Sequence, residues 1–285
     1  MNLQKIKEVL RHKQLAPLKK LGQNFLIYPE TAARIVHLAG VTSEDTILEL
    51  GVGLGTLTEP LAQKAKHVIG LEIDSGILAW QNSEGNLAEN VTLIHQDLLK
   101  ADFHDLAQQS GGKLKIVANL PYSISNPLLF KLMDHRHDMG WAVLMLQKEV
   151  GMRLIAKPGS KEYGIVSVLL SGCAEVSRLL DVGPGQFYPR PKIDSVVVKI
   201  QFHPEPSRAA ALPVHDVKLL RQVVKGSFQQ RRKTLVNALS SAPLLSYSKD
   251  QVKMALSETG IDDKVRAENL TVEDYVSICT HLSAL

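Results

Sequence analysis

Two patterns of hydrophobic and polar positions alternate along the chain from Thr31 to Ile200. Segments with apolar residues every three or four positions predict helices, and short apolar runs rich in β-branched residues predict strands. In chain order, the predicted helices are Thr31–Ala39, Leu57–Ala65, Pro127–Met133 and Lys148–Ile155, and the predicted strands are Thr46–Leu50, His67–Ile73, Val91–Ile94, Leu114–Ala118, Trp141–Leu146 and Ser195–Phe202. Strands separated by helices indicate parallel βαβ units, so the sequence predicts an α/β fold with a doubly wound, Rossmann-like sheet.

The pattern changes at His203-Pro204-Glu205-Pro206, after which an alanine-rich linker runs to Pro213. Beyond the linker only helical patterns occur, at Val217–Gln229, Lys233–Ser240, Lys249–Glu258 and Thr271–Leu282. The chain of 285 residues, 45% of them hydrophobic, can form one large core and a small second domain. We therefore predict a first domain over residues 1–205 and an α-helical domain over residues 206–285.

Basic residues cluster in two places, although the net charge is only +4. The first cluster lies near the N-terminus and the second lies on a helical pattern of the second domain: Lys5, Lys7, Arg11, Lys13, Lys19 and Lys20, then Arg221, Lys225, Arg231, Arg232 and Lys233. Such clusters match the phosphate spacing of a nucleic-acid backbone, but each alone is equally consistent with a solvated helix face. The second cluster makes the helical domain the predicted RNA-binding domain.

Composition excludes several other classes of protein. Cys173 and Cys279 have no partner spacing, which indicates a reduced compartment and argues against a disulfide framework or a zinc site. No apolar run reaches the length of a membrane span, and the N-terminus lacks the apolar core of a signal peptide. We therefore expect a cytoplasmic protein with no membrane partner and no metal.

A glycine-rich turn follows the predicted strand Thr46–Leu50 and contains Gly51, Gly53 and Gly55. Its Gly-x-Gly-x-Gly spacing differs from that of dinucleotide-binding turns. Glycine lets the backbone approach a ligand closely, and the amides at a helix start can bind a carboxylate. Glu72, 21 positions after Gly51 at the end of the next strand, can accept both hydroxyls of a ribose. A ribose and an amino-acid tail together indicate S-adenosylmethionine rather than NAD.

Asn119-Leu120-Pro121-Tyr122 ends the predicted strand Leu114–Ala118. An amide, a stiff turn and an aromatic ring at a strand's carboxyl end can hold a flat ring that bears an exocyclic amine. Asp97 follows the third strand, where it either accepts from the cofactor's adenine amine or caps a helix. Asn24 alone is typical of an ordinary turn.

Several motifs occur in a fixed order along the chain: Gly22-Gln23-Asn24-Phe25-Leu26, Glu49-Leu50-Gly51-Val52-Gly53-Leu54-Gly55, Glu72-Ile73-Asp74, Asn119-Leu120-Pro121-Tyr122, Gln147-Lys148-Glu149-Val150 and Phe187-Tyr188-Pro189-Arg190-Pro191-Lys192-Ile193-Asp194-Ser195. Over roughly residues 10–282 the chain resembles the ribosomal RNA adenine N6-dimethyltransferases, most closely the bacterial small-subunit type. The resemblance implies a class I methyltransferase sheet and S-adenosylmethionine as cofactor. The implied substrate is two adjacent adenines in the 3′-terminal hairpin loop of 16S rRNA, within an immature small ribosomal subunit. We expect a monomer.

The resemblance places the cofactor contacts on Asn24, Leu26, Gly51, Glu72, Asp97 and Asn119, to which the glycine turn adds Gly53. The chain departs from the family pattern at Val52, at Ser75-Gly76 and at Gly151. Glycine weakens a helix by about 1 kcal/mol, so Gly76 and Gly151 are expected to lower local stability.

An adenine amine is a weak nucleophile because its lone pair is delocalised into the ring. Acceptors aimed at its N–H bonds favour the pyramidal geometry needed for attack and stabilise the developing positive charge. The predicted catalytic acceptors are the Asn119 side-chain oxygen and the Leu120 carbonyl, aimed by Pro121. Tyr122 can stack on one face of the adenine, and Phe187 or Tyr188 on the other.

Two alternative functions remain at this point. One is a large-subunit ribosomal RNA adenine dimethyltransferase of the macrolide-resistance type, although leucine at position 120 and the Phe187–Ser195 stretch favour the small-subunit type. The other is a non-catalytic ribosome-assembly or transcription factor, against which the intact Gly51, Glu72 and Asn119 argue. A DNA amino-methyltransferase is disfavoured because that class commonly has two prolines in the motif.

Overall fold

The structure is a computed structural model that describes residues 3–12, 23–83, 87–202 and 212–285. Its residues fall into two compact units. The first comprises those of Met1–Gly151 and Val176–Phe202, and the second those of Met152–Glu175 and His203–Leu285. The predicted domain boundary and most of the predicted linker, residues 203–211, lie outside the described part of the chain, as do Lys13, Lys19, Lys20 and Gly22.

Nine strands lie in the described residues: β1 (Phe25–Leu26), β2 (Thr46–Leu50), β3 (His67–Glu72), β4 (Val91–His95), β5 (Leu114–Asn119), β6 (Met139–Gln147), β7 (Ala174–Val182), β8 (Phe187–Tyr188) and β9 (Ser195–Phe202). Seven of them form one sheet in the order β4-β3-β2-β5-β6-β9-β7, and β1 pairs with β8 in a small separate sheet. Neighbouring strands from β4 to β6 are parallel, whereas β9 is antiparallel to β6. The predicted doubly wound, Rossmann-like sheet is confirmed.

The described helices are α1 (Leu3–His12), α2 (Pro29–Ala39), α3 (Thr58–Lys64), α4 (Ser75–Ser83), α5 (Phe103–Gln109), α6 (Ser125–Asp134), α7 (Lys148–Leu154), α8 (Ile165–Ser171), α9 (Val217–Phe228), α10 (Leu235–Leu239), α11 (Lys249–Glu258) and α12 (Val272–Leu282). Short 3₁₀ helices cover Arg136–Asp138, Pro184–Gln186 and Ala267–Asn269. Among the helices of the described residues, none is both long and apolar enough to cross a membrane.

The continuous apolar runs of the central strands reflect burial on both faces of the sheet. In β2 the side chains of Ile47, Leu48 and Leu50 are all at most 1% exposed, because helices cover both sides. This arrangement leaves only the strand ends open to a ligand. The carboxyl ends of β2, β3, β4 and β5 therefore define the edge where a site can form.

The second unit is a small helical core. Tyr275 is completely buried at its centre, and its hydroxyl donates to the Ala267 carbonyl oxygen over 3.0 Å. Residues 152–175, which the sequence analysis assigned to the first domain, belong to this unit instead. The physical reason is apolar packing: Tyr163 and Val168 are buried in the same cluster as Tyr275, and the Tyr163 hydroxyl donates to Leu270.

Two departures from the family pattern have a packing role. A Cβ atom at Gly151 would lie 2.2 Å from Cγ1 of Val196, so α7 approaches β9 closely only because position 151 is glycine. Val52 is buried, and its Cγ2 atom fills the space where a Cβ atom of Gly70 would lie. Glycine at position 151 is expected to lower the stability of α7, but it also allows the helix to pack more closely against the sheet.

Candidate active site

A cavity of about 190 Å³ opens at the carboxyl ends of β2, β3 and β5, within the first unit. It brings together every predicted site residue except Phe187 and Tyr188: Asn24, Leu26, Gly51, Gly53, Glu72, Asp97, Asn119, Leu120, Pro121 and Tyr122. Residues far apart in sequence meet here because the parallel strands end at one edge of the sheet.

The glycine turn has a backbone conformation that other residues rarely adopt. Gly51 has a φ of 80° and Gly53 a φ of 54°, both in the left-handed region. A Cβ atom at Gly53 would also lie 3.2 Å from the ring of Phe25. The buried Gln81 amide donates to the Gly53 carbonyl oxygen over 3.1 Å. The turn is therefore held in one shape with its backbone facing the cavity.

Glu72 lies at the end of β3 and is 4% exposed. Its Oε2 atom accepts from the Gly53 amide, and Oε1 accepts from the amides of Ile73 and Asp74, each at 2.9 Å. Burial raises the pKa of Glu72, against the opposing effect of these amides. An ionised carboxylate has about four acceptor positions. Glu72, which lines the cavity, thus clamps the glycine turn and retains acceptor capacity at Oε2.

Glu49 is a cavity residue to which the sequence analysis gave no role. It is 1% exposed, and neither carboxylate oxygen has a hydrogen-bond partner among the described residues. Burial, with a smaller contribution from the nearby Glu72, raises its pKa to about 8. A buried acid without donors can accept from a cationic ligand group. Its position two residues before Gly51 of the glycine turn was the available sequence signal.

Glu49→Gln should stabilise the ligand-free protein at alkaline pH. The folded pKa of Glu49, about 8, exceeds its ordinary value of 4.5, so the folded state binds the extra proton between these values. Wild-type stability therefore falls relative to the amide variant as pH rises through this window, by up to about 1.4 kcal/mol per pH unit, and the difference levels off above it. Urea unfolding at pH 5, 7 and 9 measures the difference. Glu44→Gln, at an exposed acid, is the control; parallel curves for wild type and Glu49→Gln would contradict the prediction.

Asn119 is oriented by the N-terminal segment. Its Nδ2 atom donates to the Asn24 backbone carbonyl over 3.0 Å, which identifies Oδ1 as the opposite, accepting atom. The Leu120 amide donates to Met145 over 3.3 Å and extends the sheet contact beyond β5. Asn24 thus contributes through its backbone, a role that its residue type could not reveal.

Pro121 and Tyr122 form the turn after β5. The Pro121 carbonyl accepts from the Ile124 amide at 3.2 Å and from the Ser125 hydroxyl at 3.3 Å, which closes the turn. Tyr122 is half-buried, and its phenolic oxygen lies 3.3 Å from Oγ of Ser195. Burial raises the pKa of this phenol, so it stays protonated. The turn therefore presents a neutral aromatic ring at the cavity.

Phe187 does not line the cavity. Its side chain is 3% exposed and belongs to the same buried cluster as Leu26, so little of its ring is accessible for stacking. Tyr188 is half-buried, with the Lys7 ammonium 5.5 Å from its ring centroid. Stacking by either ring on the target base stays a prediction.

Asp97 caps a turn and not a helix, which was the alternative role predicted for it. Its Oδ1 atom accepts from the Leu99 amide at 2.9 Å, while the residue also lines the cavity.

Leu26 is 2% exposed, and its carbonyl accepts from the Thr56 hydroxyl. Within the described residues, no three His, Cys, Asp or Glu side chains converge where they could hold a metal ion.

The parallel sheet, the glycine turn after β2 and the acid at the end of β3 define a class I S-adenosylmethionine-dependent methyltransferase. A model of the family described as ribosomal RNA adenine dimethylase matches residues 17–284. The chain belongs to the ribosomal RNA adenine dimethylase family, and it is an S-adenosylmethionine-dependent rRNA adenine methyltransferase. The family predicted from the motifs is confirmed.

Individual relatives agree with this assignment. The chain is 48% identical to a "Ribosomal RNA small subunit methyltransferase A" of Desulfotalea psychrophila, over 95% of this chain and 93% of the relative. It is 40% identical to the protein of the same name from Syntrophus aciditrophicus, over 98% of each chain. A solved dimethyladenosine transferase from Plasmodium falciparum shares 27% identity, with a TM-score of 0.72 over 91% of this chain and 98% of that one. The 23S rRNA methyltransferase ErmE, 21% identical, has the same fold with a TM-score of 0.65 over 91% of this chain and 100% of that one.

Proposed function

We propose that this protein dimethylates the N6 amines of two adjacent adenines in the 3′-terminal hairpin loop of 16S rRNA. The substrate is an immature small ribosomal subunit, and the protein acts as a monomer. The observation that carries the chemistry is the hydrogen bond from Asn119 to Asn24, because it leaves Asn119 Oδ1 as an acceptor at the cavity. Relatives that are 40–48% identical and named for the small subunit support the choice of substrate.

The cavity residues fit S-adenosylmethionine. Gly51 and Gly53 provide close backbone approach, and Glu72 offers acceptor capacity for a ribose. Glu49, whose carboxylate has no donor among the described residues, suits the cofactor's ammonium group. Asp97 can accept from the adenine amine with the oxygen that does not cap its turn. When bound, the cofactor supplies the electrophilic methyl group.

The residues after β5 act on the target base. Asn119 Oδ1 and the Leu120 carbonyl accept from the two N–H bonds of the adenine amine, which favours the pyramidal nitrogen. Tyr122 stacks on the target adenine after the base leaves its stack in the loop, as enzymes that modify a nucleobase require. The methylated amine then loses a proton readily, so a strong general base is unnecessary.

Methylation of separated ribosomal subunits tests the proposed function. Purified small and large subunits from cells that lack this modification are incubated with the protein and tritium-labelled S-adenosylmethionine. Label in the small-subunit RNA, with primer-extension stops at two adjacent adenines of the 3′ hairpin loop, is the expected result. Label in the large subunit would establish the macrolide-resistance alternative, and no transfer to either subunit would favour the non-catalytic assembly factor.

We propose further that the second unit binds RNA through Arg232 and Lys233. Both residues are exposed, and they follow α9. Arg231, predicted as part of the same cluster, has another role in the structure. Its guanidinium donates to the carbonyl oxygens of Lys161 and Tyr163 and lies 5.9 Å from the Phe228 ring centroid. Arg231 therefore stabilises the helical core, and its removal would confuse folding with RNA binding.

Replacing Arg232 and Lys233 together by alanine should weaken RNA binding and its salt dependence. Each lost phosphate contact lowers the slope of log affinity against log salt by about 0.7–0.9. The double variant should thus lose about 1.4–1.8 from the slope. Lys249→Ala/Lys253→Ala, at two exposed lysines of α11, provides the same change in net charge. Equal slopes for the two double variants would assign Arg232 and Lys233 to a solvated surface.

A further inference from the structure

The Tyr122 side chain is held at both ends. Its backbone belongs to the turn closed on the Pro121 carbonyl, and its phenolic oxygen lies 3.3 Å from Ser195 Oγ, where either hydroxyl can donate. The phenolic oxygen lies on the axis through Cβ and Cζ of the ring, so a hydrogen bond there fixes the direction of this axis. It also restricts rotation of the ring about the axis, because the phenol O–H bond prefers to lie in the plane of the ring.

Ser195 is fixed by the sheet. It is the first residue of β9, it is 1% exposed, and it pairs with Gln147 at the end of β6. The carbonyl of the preceding residue, Asp194, accepts from the Lys148 amide at 2.9 Å. The hydroxyl that meets Tyr122 therefore projects from a rigid element, whereas Tyr122 lies on a turn. Ser195 itself is not among the cavity residues.

We infer that Ser195 is a positioning residue for methyl transfer: its hydroxyl fixes the orientation of the Tyr122 ring, and this orientation aligns the target adenine with Asn119. The inference rests on the proposed function, because it needs a base stacked on Tyr122. A stacked base takes its tilt from the ring beneath it, and a small tilt moves the amine away from its acceptors. In-line methyl transfer depends strongly on such alignment.

Two variants remove the same hydrogen bond from opposite sides, Ser195→Ala and Tyr122→Phe. Each should lower the single-turnover rate at saturating small subunits and S-adenosylmethionine by about tenfold, and the double variant should be no slower than either. The dissociation constants of S-adenosylmethionine and of the subunit should change little. Ser195→Thr, which keeps a hydroxyl, should restore most of the rate. Ser227→Ala, which removes a buried hydroxyl bonded to Val223 in the second unit, is the matched control.

The outcomes separate this inference from the proposed function. Absence of methyl transfer by the wild type would reject the proposed function itself. With an active wild type, a Ser195→Ala rate within about twofold of wild type would overturn the inference, since a hydrogen bond of this kind is worth more. The inference would also be overturned if the double variant lost as much rate as the product of the two single losses, because the two hydroxyls would then act independently. If Ser195→Ala unfolds, an unchanged rate in Tyr122→Phe decides against it, and a slowed Tyr122→Phe with an active Ser195→Thr supports it.

Discussion

Asn119→Ala should reduce the rate of methyl transfer by on the order of 10²–10³, with RNA binding nearly unchanged. The lost Oδ1 acceptor matters most when the adenine nitrogen becomes pyramidal and charge develops, so the effect falls on the chemical step. Cofactor binding should fall only modestly, since Asn119 also lines the cofactor cavity. Single-turnover rates at saturating cofactor and RNA measure the chemical step alone.

Asn90→Ala provides the control for loss of a half-buried side-chain amide. Asn90 also donates from Nδ2 to backbone carbonyls, those of Ala62 and Ala65, but it does not line the cavity. This variant should keep the wild-type rate even if its stability falls. A saturated rate for Asn119→Ala within a few-fold of wild type would show that the motif is only a structural turn.

Glu72→Ala should weaken S-adenosylmethionine binding by about 10- to 150-fold, which corresponds to about 1.5–3 kcal/mol for hydrogen bonds to a charged acceptor. The structure gives a second reason for the weaker cofactor binding. The amides of Gly53, Ile73 and Asp74 all lose their acceptor, so the glycine turn itself loosens. Titration calorimetry measures the affinity.

Asp102→Ala is the control variant. It shows whether losing any carboxylate that accepts from backbone amides is enough to weaken cofactor binding. The Asp102 carboxylate accepts from the amides of His104 and Asp105 at the start of α5, away from the cavity. It should lower stability and leave cofactor affinity unchanged. If Glu72→Ala binds S-adenosylmethionine with the wild-type affinity, Glu72 is not part of the cofactor site.

Sequence periodicity was sufficient for the elements whose burial follows a regular pattern. The predicted bounds of β2, β9 and α11 agree with the structure, because their apolar residues face a core at regular intervals. It missed α1, α4, α5, α8, β1, β7 and β8. β7 is an edge strand with exposed charges at Arg178 and Asp181, so it lacks the apolar alternation of a buried strand. The grouping of residues 152–175 with the second unit depends on packing between distant segments, which local pattern does not encode.

The site was predictable where topology alone determines position. Gly51 follows β2, while Glu72 and Asn119 are the last residues of β3 and β5. The rule that ligands bind at strand carboxyl ends places them together. Contacts that depend on long-range geometry were not predictable. These include the Asn24 carbonyl that orients Asn119, the buried carboxylate of Glu49 and the role of Arg231 in the helical core. Each required knowledge of which atoms lie opposite one another in three dimensions.

Because β1 pairs with β8, a newly made chain can form its parallel core before its active site is complete. Phe25 pairs with Tyr188, so the segment that orients Asn119 finds its sheet partner only after nearly the whole first unit has been synthesised. Closing such a long loop is entropically costly and favours late formation. A nascent chain can thus assemble the parallel core from β2 to β6 and still present Asn119 without its orienting carbonyl. Translation past β9 would then be the event that turns a folded intermediate into an enzyme.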